Sequence, residues 1–210
     1  MMKRFVTSED GATMVEMAIA MTLLLTLTLG FVDFGYALYQ WNAATKAVQI
    51  GARLASISNP VATALTTAAP TTTPGAPVVA GIYGPFACSY AGSTGSCTNS
   101  GAFDATNFSR IFRGDTAVTN DDACPTPTAN QRPGMCHFFP GLLRSNVVVT
   151  YTATGLGYQT RLGGPVPTIT VNLQNITFQF FFLGGLGYGN LTMPSMLSTV
   201  TGEDLKSTAS

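Results

Sequence analysis

Between Met17 and Val32 the chain carries neither a charge nor a proline. With its softer flanks, the stretch Gly11–Leu38 (GATMVEMAIAMTLLLTLTLGFVDFGYAL) supplies about 20 or more mostly apolar residues, the length a helix needs to cross a hydrocarbon core of about 30 Å. Two acids bracket it, Glu16 at one end and Asp33 at the other. An ionised carboxylate at the centre of a bilayer costs several kcal/mol. These two side chains are therefore expected at the interfaces, or bound to partners.

The rest of the 210 residues leaves room for one modest domain. Charged residues make up 10% of the chain and the net charge is zero. With no basic cluster to neutralise phosphates, a nucleic-acid partner is not expected. The four cysteines, Cys88, Cys97, Cys124 and Cys136, all follow the apolar stretch. None sits in a CxxC pair and their spacings do not match zinc sites, so no metal is expected. An even count beyond a membrane segment reads as two disulfides in an oxidising compartment. Pairing of neighbours, Cys88 with Cys97 and Cys124 with Cys136, is preferred, although the sequence alone leaves three connectivities open.

In chain order, residues 1–11 form a short polar leader whose Lys3 and Arg4 favour a cytoplasmic N-terminus. A cleaved secretory signal fits less well. Glu9 and Asp10 directly precede the apolar run, and no clear A-x-A site follows it. Tyr36, Tyr39 and Trp41 cluster where the span ends, as aromatic residues do at membrane–water interfaces. Helical spacing persists through residues 42–57, with Ala44, Ala47, Gly51 and Ala55 forming a stripe of small residues. Such a stripe suits close approach of another helix, or packing on the chain's own domain. Pro60 disfavours αR at Asn59 and ends the helix. One helix over 12–57 is about 65–70 Å long, twice what a bilayer needs, so its second half is expected to project outward as a stalk.

Residues 58–81 are rich in Thr, Ala and Pro and read as a linker or long loop. The remainder, 82–210, reads as a β-rich extracytoplasmic domain. Its first part is punctuated by Gly, Pro, Ser and Asn and holds all the cysteines. Phe108–Phe112 fits either a strand or a turn of helix. Later, SNVVVTYTAT, PTITVNLQ and NITFQFFFL read as three antiparallel strands. Phe178, Phe180 and Phe182 share one face at period two, against the sheet core or the outer half of the helix. The stretch LTMPSMLSTVTGEDL reads as an extended tail. The fold class is α+β: a long N-terminal transmembrane and stalk helix, then a disulfide-stapled antiparallel β-rich domain.

No catalytic constellation is visible, and neither a cofactor nor an enzymatic activity is expected. His137 adjoins Cys136, but chain neighbours seldom align as a catalytic pair, and a disulfide would leave no thiolate. There is no nucleophile elbow and no phosphate-binding glycine loop. Asp121-Asp122 lacks the remaining ligands of a calcium loop and reads as an exposed turn. Asn107, Asn175 and Asn190 sit in glycosylation sequons, which matter only in a host that glycosylates.

One pattern is more specific. Gly11, Val15-Glu16-Met17-Ala18, the run Met21–Leu29, Asp33-Phe34-Gly35 and Gly51-Ala52-Arg53 together resemble the TadE-like proteins, pseudopilins of the tight-adherence (Flp) pilus system. Met17 stands where that family usually has Phe. The resemblance implies cleavage by a prepilin peptidase, an intramembrane aspartyl enzyme, between Gly11 and Ala12, which leaves Glu16 as the fifth mature residue. It implies that Glu16 pairs with the new amino group of Ala12 or of a neighbouring subunit, setting helix register. Asp33 is expected at the outer headgroup level or paired with a basic residue of a partner pseudopilin. The implied partners are the membrane, the peptidase, and other pseudopilins and pilus assembly proteins in a homo- or hetero-oligomer. The implied location is the inner membrane, with the C-terminal domain periplasmic. The competing reading is a signal-anchored or secreted β-domain that acts as an adhesin or binding module.

Overall fold

A computed structural model describes residues 9–68, 73–116, 118–159, 164–178, 180–185, 187, 189 and 191–202. Most of the leader, Asn190 and the end of the closing GEDL lie outside these residues. The elements are α1 (Glu9–Ile57), β1 (Phe86–Ala91), β2 (Thr94–Cys97), α2 (Ala105–Arg113), α3 (Met135–Phe138), β3 (Val147–Thr152), β4 (Thr168–Leu173), β5 (Thr177–Phe178), α4 (Phe182–Gly185), β6 (Leu191–Thr192) and β7 (Met196–Thr201). The class is α+β. The chain forms two compact units, residues 1–40 with 177–191, and residues 41–176 with 192–210.

In the first unit α1 is one uninterrupted helix, long and apolar enough to cross a membrane. Every residue from Gly11 to Thr28 is exposed. Its hydroxyls are turned back onto the helix. Thr22 donates to the Ala18 carbonyl at 2.7 Å, Thr26 to Thr22 at 2.8 Å and Thr28 to Leu25 at 2.9 Å. A threonine satisfied in this way presents only its methyl group outward, as a span in lipid requires.

The second unit is built on a five-stranded antiparallel sheet in the order β2-β1-β3-β4-β7. Alternation decides the buried face. Val147, Val149 and Tyr151 of β3 point inward, as do Ile169, Val171 and Leu173 of β4 and Phe86, Cys88 and Tyr90 of β1. In register, Cys88 lies opposite Cys97 on one side and Val149 on the other. The Cys88–Cys97 disulfide therefore staples the β1–β2 hairpin, and Cys124–Cys136 closes the second bridge.

The last part of α1 belongs to this core. Ala44, Ala47, Val48 and Ala55 are each no more than 2% exposed. A Cβ placed on Gly51 would collide with the Met135 side chain of α3, and Thr45 points its hydroxyl at the Met196 sulfur of β7. The second half of the helix, expected to project as a stalk, is instead embedded in its own domain. The small-residue stripe faces inward there.

The described parts of 58–81, residues 58–68 and 73–81, are anchored to this core, with a 3-10 turn at Thr63–Thr67 and with Val61, Ala62, Leu65 and Val78 all buried. The buried Tyr151 hydroxyl accepts from the Val61 N–H at 2.9 Å, and Asp104 N–H donates to the Val61 carbonyl at 2.8 Å. Phe108–Phe112 is helical. Asp104 caps α2 by accepting from Asn107 N–H at 3.0 Å, and Phe108, Ile111 and Phe112 fill the core beneath it. Gly114, at φ +74°, lets the end of α2 cross the backbone of Arg132–Gly134 without a side chain between them.

Two sequence expectations fail in the C-terminal third. NITFQFFFL does not supply a third strand of the main sheet. Among its described residues only Thr177–Phe178 is strand, paired with β6 in a separate ribbon, and Phe182 opens α4. The supposed tail contains β7, which pairs with β4 from Leu173–Met196 to Thr168–Thr201. β4 is an interior strand with a partner on each side, β3 and β7. MLSTVT supplies one, while the glycines that follow Leu183 do not hold a strand.

Candidate functional site: the apolar helix and its two carboxylates

Gly11, Ala12 and Glu16 all lie in the first turns of α1 and are exposed. Among the described residues, a Cβ on Gly11 would meet nothing within 4 Å. Glu16 lies four positions after Ala12, which puts them on the same helix face about 6 Å apart along the axis. The first N–H groups of a helix have no intrahelical partner, and an acid near that end is favoured by the helix dipole.

Asp33 has a different environment. It is 2% exposed. One oxygen, Oδ1, accepts from Phe181 N–H at 3.0 Å; the other, Oδ2, accepts from Phe182 N–H at 3.0 Å and Leu183 N–H at 2.7 Å. The carboxylate thus caps the first turn of α4 from across the unit. Tyr36, one turn further along α1, packs its ring on Phe181 at 5.1 Å and on Tyr39 at 6.3 Å between centroids. Sequence reading expected a headgroup-level acid, or a partner for a basic side chain in another subunit. The donors are backbone N–H groups of its own chain, 148–150 residues away, and no pattern of side chains announces them.

The second unit holds a charged cluster that the sequence did not reveal. Arg113, 1% exposed, donates to the carbonyls of Ala123 at 2.6 Å and Thr119 at 2.8 Å. It also donates to the Ser109 hydroxyl at 3.3 Å, the Asp121 carboxylate at 2.8 Å and the Asp121 carbonyl. Burial pulls its pKa below the usual arginine value, and the Asp121 charge opposes that pull. The Thr119 hydroxyl and the Ala123 N–H in turn hold the Asp121 carboxyl below its ordinary range. Arg144 reaches Asp122 at 3.1 Å and Asn120 at 3.0 Å and lies over the Tyr90 ring at 4.3 Å. Asp121-Asp122 is accordingly not a bare turn. Its acids fasten the 118–124 loop around two arginines, beside a cavity of about 400 Å³ lined in part by Tyr90, Phe103 and Phe108.

Cys124, Cys136 and His137 bring their ligand atoms within 4.8 Å of one another, but both sulfurs are consumed in a disulfide, so no thiolate is offered to a metal. His137 has a structural task on α3. Its Nδ1 accepts from Gly134 N–H at 3.1 Å and its Nε2 lies 2.8 Å from the Pro125 carbonyl. Asn107 is buried and donates its side-chain amide to the Pro60 carbonyl at 3.0 Å, which leaves no access for a glycan.

Fold and site together define an α+β protein led by a helix that is long and apolar enough to cross a membrane, with no catalytic grouping among the described residues. Its N-terminal segment is TadE-like: residues 11–53 match the family model described as TadE-like protein. Neither curated proteins nor solved structures gave a match to the chain. The match is confined to the long helix and does not reach the sheet domain.

Proposed function

We propose that the chain is a pseudopilin-type structural protein of the tight-adherence (Flp) pilus. It is anchored in the inner membrane by α1, with its N-terminus cytoplasmic and its sheet domain periplasmic. The observation that carries this reading is the TadE-like match over residues 11–53, with Gly11 placed so that Glu16 becomes the fifth residue after cleavage. A prepilin peptidase cuts between Gly11 and Ala12. The structure favours access, because the bond is exposed and lies in the helix's first turn, where missing hydrogen bonds and a glycine make unwinding cheap.

Cleavage creates an ammonium at Ala12. Glu16, one turn along, pairs with that amine or with the amine of a neighbouring subunit. In a low-dielectric setting the attraction is stronger than in water, but desolvation offsets much of it. The pair's main value is register, since it fixes how far one helix slides along another. Assembly then proceeds by association of the apolar helices with other pseudopilins.

The test is the intact mass of protein extracted from the membranes of its native host. Loss of residues 1–11, abolished by Gly11→Leu, is the expected result. A full-length mass would leave a signal-anchored domain, and loss of everything through about residue 40 would leave a secreted module; either would sink the pilus reading.

A further inference from the structure

Thr177–Leu191 shares a compact unit with α1 as far as Gln40. Its sequence, TFQFFFLGGLGYGNL, lies in a charge-free run from Leu162 to Gly202. Phe181 and Phe182 are 67% and 43% exposed, in the same unit as the exposed apolar helix. Aromatic rings left in water on this scale call for an occupant, and the choice of occupant follows from depth. Asp33 immediately follows the charge-free part of α1. From Glu16 to Asp33, the two acids expected at the interfaces, the helix rises about 26 Å, near the hydrocarbon thickness of about 30 Å. Asp33 therefore marks the level where acyl chains give way to headgroups, and it holds residues 181–183 at that level.

The same contact resolves two costs. A carboxylate at that depth needs donors, and the N–H groups of a helix's first turn, which have no partner within the helix, need acceptors. Three charge-assisted N–H···O bonds satisfy both. Tyr36 packs its ring, tilted, against Phe181, and tyrosine is enriched at membrane–water interfaces.

We propose that residues 180–185 form a second lipid-contacting element. It is an aromatic foot that lies in the interfacial layer beside the span, places Phe181 and Phe182 at the boundary of the acyl chains, and is locked to the helix by Asp33. The bilayer is the occupant because the exposed rings belong to the same unit as the exposed span and sit at its end. The foot fixes how deeply α1 sits and resists its sliding along the membrane normal. This inference rests on α1 crossing a membrane, and independently of any role in a pilus.

The experiment uses the full chain in phosphatidylcholine–phosphatidylglycerol vesicles, with the single native tryptophan replaced (Trp41→Phe). Phe181→Trp and, separately, Phe182→Trp report on the foot; Leu24→Trp reports on the span. Lipids brominated near the headgroup end or near the tail end of the acyl chain serve as quenchers. The expected result is loss of most Trp emission at positions 181 and 182 with the shallow bromine and much less with the deep one. Leu24→Trp should be quenched most by the deep bromine. Adding Asp33→Asn should remove the shallow quenching at 181 and 182 while leaving position 24 unchanged. Strong quenching at 24 with none at 181 or 182 overturns the foot alone. Blue-shifted but unquenched emission there overturns it as well, in favour of a second protein copy. Unchanged depth in Asp33→Asn overturns the lock. No quenching at position 24 overturns the transmembrane reading and the foot with it.

Discussion

Replacing Gly51 by alanine sets two effects of known size against each other. In a helix interior alanine is about 1 kcal/mol better than glycine, so an unobstructed site would be stabilised by that amount. Gly51 is not unobstructed. The added methyl would overlap the side chain of Met135, with its Cγ only 2.8 Å away. Met135 is fully buried, and its neighbour Cys136 is tied to Cys124, so the side chain has little room to retreat. Overpacking of this kind costs about 1–3 kcal/mol, and the net effect of Gly51→Ala is destabilisation of up to about 2 kcal/mol. Met135→Ala alone should cost about 2–5 kcal/mol by leaving a cavity. In that background the obstruction is gone and Gly51→Ala should stabilise by about 1 kcal/mol. The coupling between the two sites is then about 1–3 kcal/mol. Urea unfolding of the full chain in detergent, followed by near-ultraviolet circular dichroism with the disulfides intact, gives the four free energies. Equal stabilisation by Gly51→Ala in both backgrounds would refute the packing account. The glycine would then have to be explained by a surface that meets another subunit.

Other perturbations follow from single contacts. Tyr151→Phe removes the acceptor of the buried Val61 N–H; an unsatisfied buried donor costs about 1–3 kcal/mol. Thermal melting should fall by about 2–4 °C for each kcal/mol in a domain of this size. Asp115 is held below its ordinary carboxyl pKa, chiefly by the side-chain hydrogen bond from Arg132. Asp121 is lowered as well. A depressed folded-state pKa contributes stability that is complete above the unfolded value of 3.8 and lost as pH falls through the folded value. Melting temperature should therefore decline below about pH 4. Asp115→Asn should flatten that decline modestly, since both carboxylates are partly exposed.

The apolar helix, its two bracketing acids and the TadE-like pattern were all legible in the sequence, because each is a local property. A charge-free run of sufficient length has few ways to be accommodated, and glycine-to-glutamate spacing survives any fold. Strands β3 and β4 were equally legible, since alternation in VVVTYT and TITVNL marks one buried face directly. Neighbouring cysteines suggested their pairing, but chain geometry decided it, through a hairpin register that sets Cys88 opposite Cys97.

Tertiary structure alone decided which apolar segments joined the sheet. FQFFFL has more β propensity than MLSTVT, yet MLSTVT pairs with β4. An edge vacancy is filled by the segment that reaches it in register, and propensity cannot count vacancies. Only the fold turned the Ala44–Ala55 stripe inward, because small residues serve a neighbouring helix and a domain core equally well until one of them is present. The partners of Asp33 and Arg113 are mostly backbone atoms. Backbone donors and acceptors are the same for every sequence, so where they gather around a buried charge is fixed by the path of the chain and by nothing that its residue types spell out.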